Sequence, residues 1–140
     1  MKEVQGMIDL SLDTPRALIC GGTSGIGLVL ARGFAAAGYN VDAVGLGPLP
    51  QSTSKIRYAS LDIADGLAVS IFISNIGELD VVVNAAGIIR REDEFDPDVF
   101  AKVIDINLNG TMRICTASRT ALAKRSGNII NIASMLTYFG

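Results

Sequence analysis

In the stretch CGGTSGIG, residues 20–27, the glycines at 21, 25 and 27 have a spacing of four residues and then two. This stretch follows the short apolar run RALIC (16–20) and precedes apolar residues that recur at helical spacing, namely Ile26, Leu30, Phe34 and Ala37. A short continuous apolar run is typical of a strand that is buried on both faces. A glycine turn between a strand and a helix lets a pyrophosphate approach the backbone and the positive end of the helix. A tight turn alone also needs glycines, so the surrounding pattern has to decide between the two interpretations.

Strand-like and helix-like segments alternate along the rest of the chain. Further strands are predicted over 39–46, 55–62, 79–87 and 127–134, and further helices over 65–77 and 98–124. The first two helices are expected to end at Gly38 and Gly77, and Asp96 with Pro97 is expected to begin the long third helix. The turn-rich segment 47–54 leaves little room for a helix. This order predicts one α/β domain with a doubly wound, Rossmann-like parallel sheet.

Charge and composition argue against several classes of partner. The net charge is -2 and no basic cluster is longer than a pair, which predicts no nucleic-acid partner. No signal-peptide core is visible, and no apolar run approaches the roughly 18 residues of a membrane span, so we expect a cytoplasmic protein with no membrane partner. Cys20 and Cys115 lie in apolar segments, which favours buried, reduced thiols. The chain has no histidine, so no metal site is expected.

The spacing Gly-x-x-x-Gly-x-Gly resembles the nucleotide loop of the short-chain dehydrogenases/reductases. Four further segments resemble motifs of that family and follow the glycine loop in the family's order: LDIAD, NAAG, DINLNG and GNIINIAS. The resemblance covers nearly the whole chain from about Ile8. One departure is Ala85, which replaces the second asparagine of the family's Asn-Asn-Ala-Gly. The resemblance implies strand order 3-2-1-4-5 for the part present and an NAD(P)-dependent oxidoreductase that transfers a hydride between nicotinamide and a secondary alcohol or ketone.

The same resemblance assigns expected roles to individual residues. Asp62 falls where the family's aspartate meets the adenine, Asn107 at the active-site asparagine and Ser134 at the catalytic serine. The expected cofactor-binding residues are Gly21, Thr23, Ser24, Gly25, Ile26, Gly27, Leu46, Asp62, Ile63, Asn84, Ala85, Ala86 and Gly87. Taken singly, these positions also have ordinary structural interpretations, such as strand-end caps and turn residues.

The family's tyrosine and lysine, in a Tyr-x-x-x-Lys motif roughly thirteen residues beyond the serine, do not occur in these 140 residues. Tyr138 follows Ser134 by only four residues and is wrongly placed. We therefore interpret residues 1–140 as a dinucleotide-binding Rossmann domain that stops before this motif, and expect it to be inactive alone. The alternatives are a non-catalytic dinucleotide-binding module and a methyltransferase, which shares the sheet but usually has an acidic residue closing its second strand.

Cofactor preference depends on the end of the second strand, which reads AVGLGP. Leu46 stands where NAD-binding folds usually have an acidic residue and NADP-binding folds have an arginine nearby. Asp42 lies about three residues too early and is interpreted as structural. With no cation to receive a 2′-phosphate, NAD is favoured and NADP stays possible.

The substrate is expected to be a small molecule. The segment GIIRR, with Arg90 and Arg91, resembles the sugar-acid branch of the family, the 2-deoxy-gluconate or 2-keto-3-deoxygluconate type dehydrogenases, as does IDLSL (8–12). The two arginines could therefore hold a substrate carboxylate, and the resemblance places the Ser134 hydroxyl at the substrate carbonyl oxygen. They could equally be a solvated pair that balances Glu92, Asp93 and Glu94. Family members associate through long helices, so segment 98–124 leads us to expect a homo-oligomer, either a dimer or a tetramer.

Overall fold

The computed structural model describes residues 14–93, 95–135 and 138; the segment IDLSL and Glu94 lie outside them. Five parallel strands form one sheet in the order β3-β2-β1-β4-β5, which confirms the predicted fold and strand order. The strands are β1 Arg16–Cys20, β2 Asn40–Gly45, β3 Ile56–Ser60, β4 Val81–Asn84 and β5 Asn128–Asn131. The helices are α1 Gly25–Ala36, α2 Gly66–Ile76, α3 Pro97–Ile104 and α4 Thr111–Ala123, with a π-helical turn at Asp105–Gly110.

Two apolar clusters pack on opposite faces of strands β1 to β4, whereas the four residues of β5 are exposed. Because side chains alternate along a strand, Leu18 and Cys20 pack with α2 and α4, whereas Ala17 and Ile19 pack with α1. All four are fully buried. This explains why residues 17–20 are continuously apolar: both faces of β1 are covered.

The residues of helix α1 that are buried against the sheet are small and do not belong to the predicted apolar pattern. They are Gly27 and Ala31, while Ile26 is 67% exposed. A Cβ on Gly27 would collide with the Gly21 carbonyl oxygen, so the helix rests directly on the loop. The Ile26 side chain is therefore left at the surface, beside the glycine loop.

The predicted helix over 98–124 is two α-helices joined by the π-helical turn. Its predicted start is correct, because Pro97 is the first residue and the Asp96 side chain accepts from the backbone N–H groups of Asp98 and Val99. The sequence DINLNG forms the π turn, a feature that is often found at functional sites. Among the apolar residues of this segment, Ile114 and Leu122 are buried, and Val99, Val103 and Ile106 are half-buried.

Asp42 has a structural environment, as the sequence indicated. It is 4% exposed, and its carboxylate accepts from Arg57 Nε at 2.6 Å and Arg16 Nη1 at 3.3 Å.

Among the described helices, none is long and apolar enough to cross a membrane. Within the same residues, no three His, Cys, Asp or Glu side chains are grouped as metal ligands would be.

Candidate functional site

The residues expected at the site follow the carboxyl ends of the five parallel strands. They are residues 21–27 after β1, Leu46 after β2, Asp62 and Ile63 after β3, 84–87 at the end of β4 and Ser134 after β5. In an open α/β sheet, this edge is where ligands bind. One edge of the sheet therefore carries all of these residues, although they are spread over more than a hundred positions of the chain.

The three glycines of the Gly-x-x-x-Gly-x-Gly motif have different surroundings. Gly21 has φ +78°, and a Cβ there would lie 2.7 Å from the Ala86 amide nitrogen, so this glycine lets the β1 loop pack against the β4 loop. Gly27 lets α1 rest on Gly21. Gly25 has φ +50°, and a Cβ there would have nothing within 4 Å. Gly25 thus leaves an open space at the first turn of α1.

The two hydroxyl residues of the loop point to different places. Thr23 is 7% exposed, and a Cβ on Gly45 would collide with the Thr23 hydroxyl oxygen, so this side chain packs against the end of β2. Ser24 is exposed and is the N-cap of α1, yet its side chain makes no capping hydrogen bond. Ser24 is therefore better placed than Thr23 to donate to a ligand at the helix terminus.

Asn84 connects three elements at the end of β4. It is 5% exposed, and its Nδ2 donates to Asn131 Oδ1 at 2.9 Å and to Cys115 Sγ at 3.4 Å. These bonds join β4 to β5 and to α4. Among the described residues its Oδ1 has no partner. The side chain faces the protein interior, which is a structural environment; contact with a cofactor stays a prediction.

The segment after β3 is held from two directions. Asp62 is exposed and its Oδ1 accepts from the Ala64 N–H at 2.9 Å, which shapes the turn into α2. Ile63 is buried, and a Cβ on Gly110 would lie 2.7 Å from its Cδ1, so Ile63 packs against the π turn. Leu46, at the end of β2, is 61% exposed.

Asn107 is bound through both ends of its side-chain amide to one residue of the β4 loop. Its Oδ1 accepts from the Ile88 N–H at 2.8 Å and its Nδ2 donates to the Ile88 carbonyl at 2.9 Å. Its own carbonyl accepts from the Thr111 hydroxyl at 3.0 Å. The π turn is thereby fixed next to the NAAG segment.

The expected substrate residues lie at the surface. Arg90 and Arg91 are exposed, and Arg90 Nη1 donates to the neighbouring Ile89 carbonyl at 3.1 Å. Ser134 is exposed and lies three residues beyond β5. Tyr138 is 82% exposed. The roles of the arginines and of Ser134 stay predictions.

Two groups near the site have shifted pKa values. Burial raises the pKa of the Cys20 thiol to about 12, and nearby Cys115 acts in the same direction, so Cys20 is a neutral and unreactive thiol. Cys115 is only half-buried, contrary to the expectation that both thiols are buried. The hydrogen bond from Arg113 lowers the pKa of the Asp105 carboxyl, and the bond from Asn109 adds to this, so Asp105 is ionised at neutral pH.

Some residues that organise the site were not anticipated from the sequence. Asn131, Ile88 and Arg113 all bond to segments of the site. The one available signal was for Asn131, because the segments VVVN and NIIN each end in asparagine, and Asn84 and Asn131 are register partners.

A sequence model of the short chain dehydrogenase family matches residues 15–140. The chain belongs to this family. The match excludes the methyltransferase alternative, and the relatives described below are named as dehydrogenases or reductases, which gives no support to a non-catalytic module.

Two bacterial enzymes illustrate the range of relatives. The 3-oxoacyl-acyl-carrier-protein reductase FabG of Chlamydia muridarum is 34% identical over 86% of this chain and 55% of its own length. The 2-dehydro-3-deoxy-D-gluconate 5-dehydrogenase of Dickeya dadantii is 33% identical over 89% of this chain and 55% of its own. The chain therefore spans about half the length of the curated relatives it matches.

A solved structure gives a similar result. A gluconate 5-dehydrogenase from Burkholderia cenocepacia, in complex with NADP and tartrate, is 31% identical with a TM-score of 0.76. The similarity covers 92% of this chain and 57% of that one.

Proposed function

We propose that these residues form the dinucleotide-binding part of an NAD(P)-dependent oxidoreductase. The observation that carries the proposal is the open space at Gly25, between the tightly packed Gly21 and Gly27, at the edge where five strand ends meet. Backbone N–H groups of the first turn of α1 lack intrahelical partners and the helix dipole is positive there, which suits a pyrophosphate. A bound nicotinamide would supply the hydride donor or acceptor.

The residues of the chain would orient and polarise the substrate. Ser134 would donate a hydrogen bond to the substrate oxygen as negative charge develops on it. Asn107, held by Ile88, would support a water in a proton relay through the π turn. A general acid would complete the proton transfer.

We propose NAD as the preferred cofactor. Residues 44–50 carry no charged side chain, so no cation is offered to a 2′-phosphate there. Because the Burkholderia relative was solved with NADP, a comparison of the two dinucleotides by titration calorimetry is the appropriate test. Tighter binding of NADP would contradict the preference.

For substrate we propose a sugar acid, with Arg90 and Arg91 holding its carboxylate. The exposed positions of both arginines after β4 and the sugar-acid relatives support this. The FabG relative makes a 3-oxoacyl thioester the appropriate competitor in the assay. Turnover of the thioester in preference to 2-keto-3-deoxygluconate would overturn this assignment.

Gly25→Ala is expected to weaken dinucleotide binding by about 1–3 kcal/mol while leaving the fold intact, because its Cβ would enter the open space and meet no protein atom. Because Gly25 has a positive φ, the alanine variant also carries about 1–2 kcal/mol of backbone strain, which lowers its free energy of unfolding. The matched control is Gly33→Ala, on the same helix and with equally open surroundings but outside the loop. Calorimetry with NAD measures both; equal affinities for the two variants would contradict the role of Gly25.

We also propose that the protein is a homo-oligomer. Phe100, Leu108 and Met112 are each more than half exposed on α3, the π turn and α4. Such exposed apolar side chains often mark protein interfaces. Light scattering at micromolar concentration tests this, and a monomer would contradict it.

A further inference from the structure

Arg113, in the first turn of α4, contacts two parts of the proposed site at once. Its Nη1 donates to the Ile63 carbonyl at 3.4 Å and to the Asp105 carbonyl at 3.2 Å. Its Nη2 donates to Asp105 Oδ1 at 2.7 Å. Ile63 belongs to the segment expected at the adenine, and Asp105 begins the π turn that contains Asn107. A guanidinium suits this task because its donors project in fixed directions from one rigid plane.

Packing reinforces the same connection. The Ile63 side chain lies against Gly110 at the end of the π turn, and Gly66 faces Arg113, where a Cβ would lie 3.7 Å from the arginine Cδ. The turn between β3 and α2 therefore contacts the π turn through Ile63 and contacts Arg113 through Gly66.

Arg113 binds the π turn at the first residue of the turn, Asp105. Asp105 offers both its carbonyl and its carboxylate to the guanidinium, and Asn109 Nδ2 donates to the same carboxylate oxygen at 3.2 Å. Two residues later, Asn107 makes its paired bonds to Ile88. A change in the shape of the turn would therefore move Asn107 relative to the β4 loop.

We propose that Arg113 is a positioning residue that fixes the adenine-side segment, Asp62 and Ile63, relative to the π turn bearing Asn107. It would act through its bonds to Ile63 and Asp105 and not by binding the cofactor or the substrate itself. This inference rests on the proposed function, since it assumes that the edge binds a dinucleotide.

The test compares Arg113→Met with Arg125→Met. Arg125 lies just beyond the other end of α4, and its Nε donates to Asp80 Oδ1 at 3.2 Å, so the control also removes an arginine–aspartate contact. Asp80 precedes β4 and lies at the amino edge of the sheet, away from the site. ADP-ribose, which carries the adenine half of the dinucleotide, is the probe in titration calorimetry.

Arg113→Met is expected to weaken ADP-ribose binding about fivefold or more, and Arg125→Met to leave it unchanged. Arg113→Lys should recover only part of the loss, because a lysine cannot serve three acceptors in this geometry. By NMR, exchange of the Asn107 side-chain amide protons should accelerate in Arg113→Met and not in Arg125→Met. If Arg113→Met does not fold, Arg113→Lys serves for the same comparison.

Equal ADP-ribose affinities in the Arg113 and Arg125 variants, with normal binding by the unmodified chain, would overturn this inference alone. Absence of ADP-ribose binding by the unmodified chain would overturn the proposed function and this inference with it. A loss confined to the Arg113 variants, accompanied by the change at Asn107, would support both.

Discussion

Gly27→Val should lower the free energy of unfolding by about 3 kcal/mol, the upper part of the range for inserting atoms into a packed site. The first added carbon would already collide with the Gly21 carbonyl oxygen, and it would lie 3.1 Å from Gly22 Cα. These neighbours are backbone atoms of the loop, so they cannot rotate away as a side chain could. Helix α1 must therefore lift from the sheet, away from the core around Ala31 and Ile19.

The measurement is thermal unfolding followed by circular dichroism, where a loss of this size in a chain of this length lowers Tm by roughly 10 °C. Gly33→Val is the matched control, because it places the same side chain on the same helix with nothing within 4 Å. The control should be close to neutral. An equal loss of Tm in the two variants would show that helix propensity, and not the contact with Gly21, determines the effect.

The second large effect concerns catalysis. None of the three tyrosines in these 140 residues has a lysine four positions later, so they lack the family's general acid. We expect residues 1–140 to bind NAD and to give no turnover of sugar acids or simple secondary alcohols. In a longer protein with a Tyr-x-x-x-Lys segment downstream, turnover should appear, and Ser134→Ala should lower kcat by about 10²–10⁴-fold.

The assay is the absorbance of the reduced nicotinamide. Ser134→Thr is the informative control, because it keeps a hydroxyl group and should retain part of the activity that alanine removes. Robust turnover by the 140 residues alone would mean that the active site has been assigned to the wrong residues. Full activity of Ser134→Ala in the longer protein would remove the serine from the mechanism.

The fold could be predicted because each strand carries its own signal. Residues 17–20 and 81–83 are apolar throughout, as strands covered on both faces must be, and glycines or an Asp-Pro pair mark the helix ends. The position of the site followed from the fold, since turns after parallel strands share one edge. Sequence patterns were therefore sufficient to place the glycine loop near the NAAG segment.

The finer contacts of the site could not be predicted. Helical spacing does not distinguish a single π turn from an α turn, so DINLNG was expected to continue one helix. Arg113 and Ile63 are 50 residues apart, and nothing local in either segment indicates their contact. The packing of Thr23 against Gly45 is likewise not visible in the sequence, and a role of Thr23 in cofactor binding stays a prediction. Such details depend on how elements pack, which local patterns do not encode.

The most direct test of the central claim, that the carboxyl edge of the sheet binds a dinucleotide, is an NMR titration of the isotopically labelled chain with NAD. The backbone amide signals of Ser24, Gly25 and Ile26 should shift most, followed by those of Ala86 and Gly87. Amides at the opposite edge, such as Asn40 and Asp80, should not move. Shifts centred on that opposite edge, or none at saturating NAD, would contradict the claim.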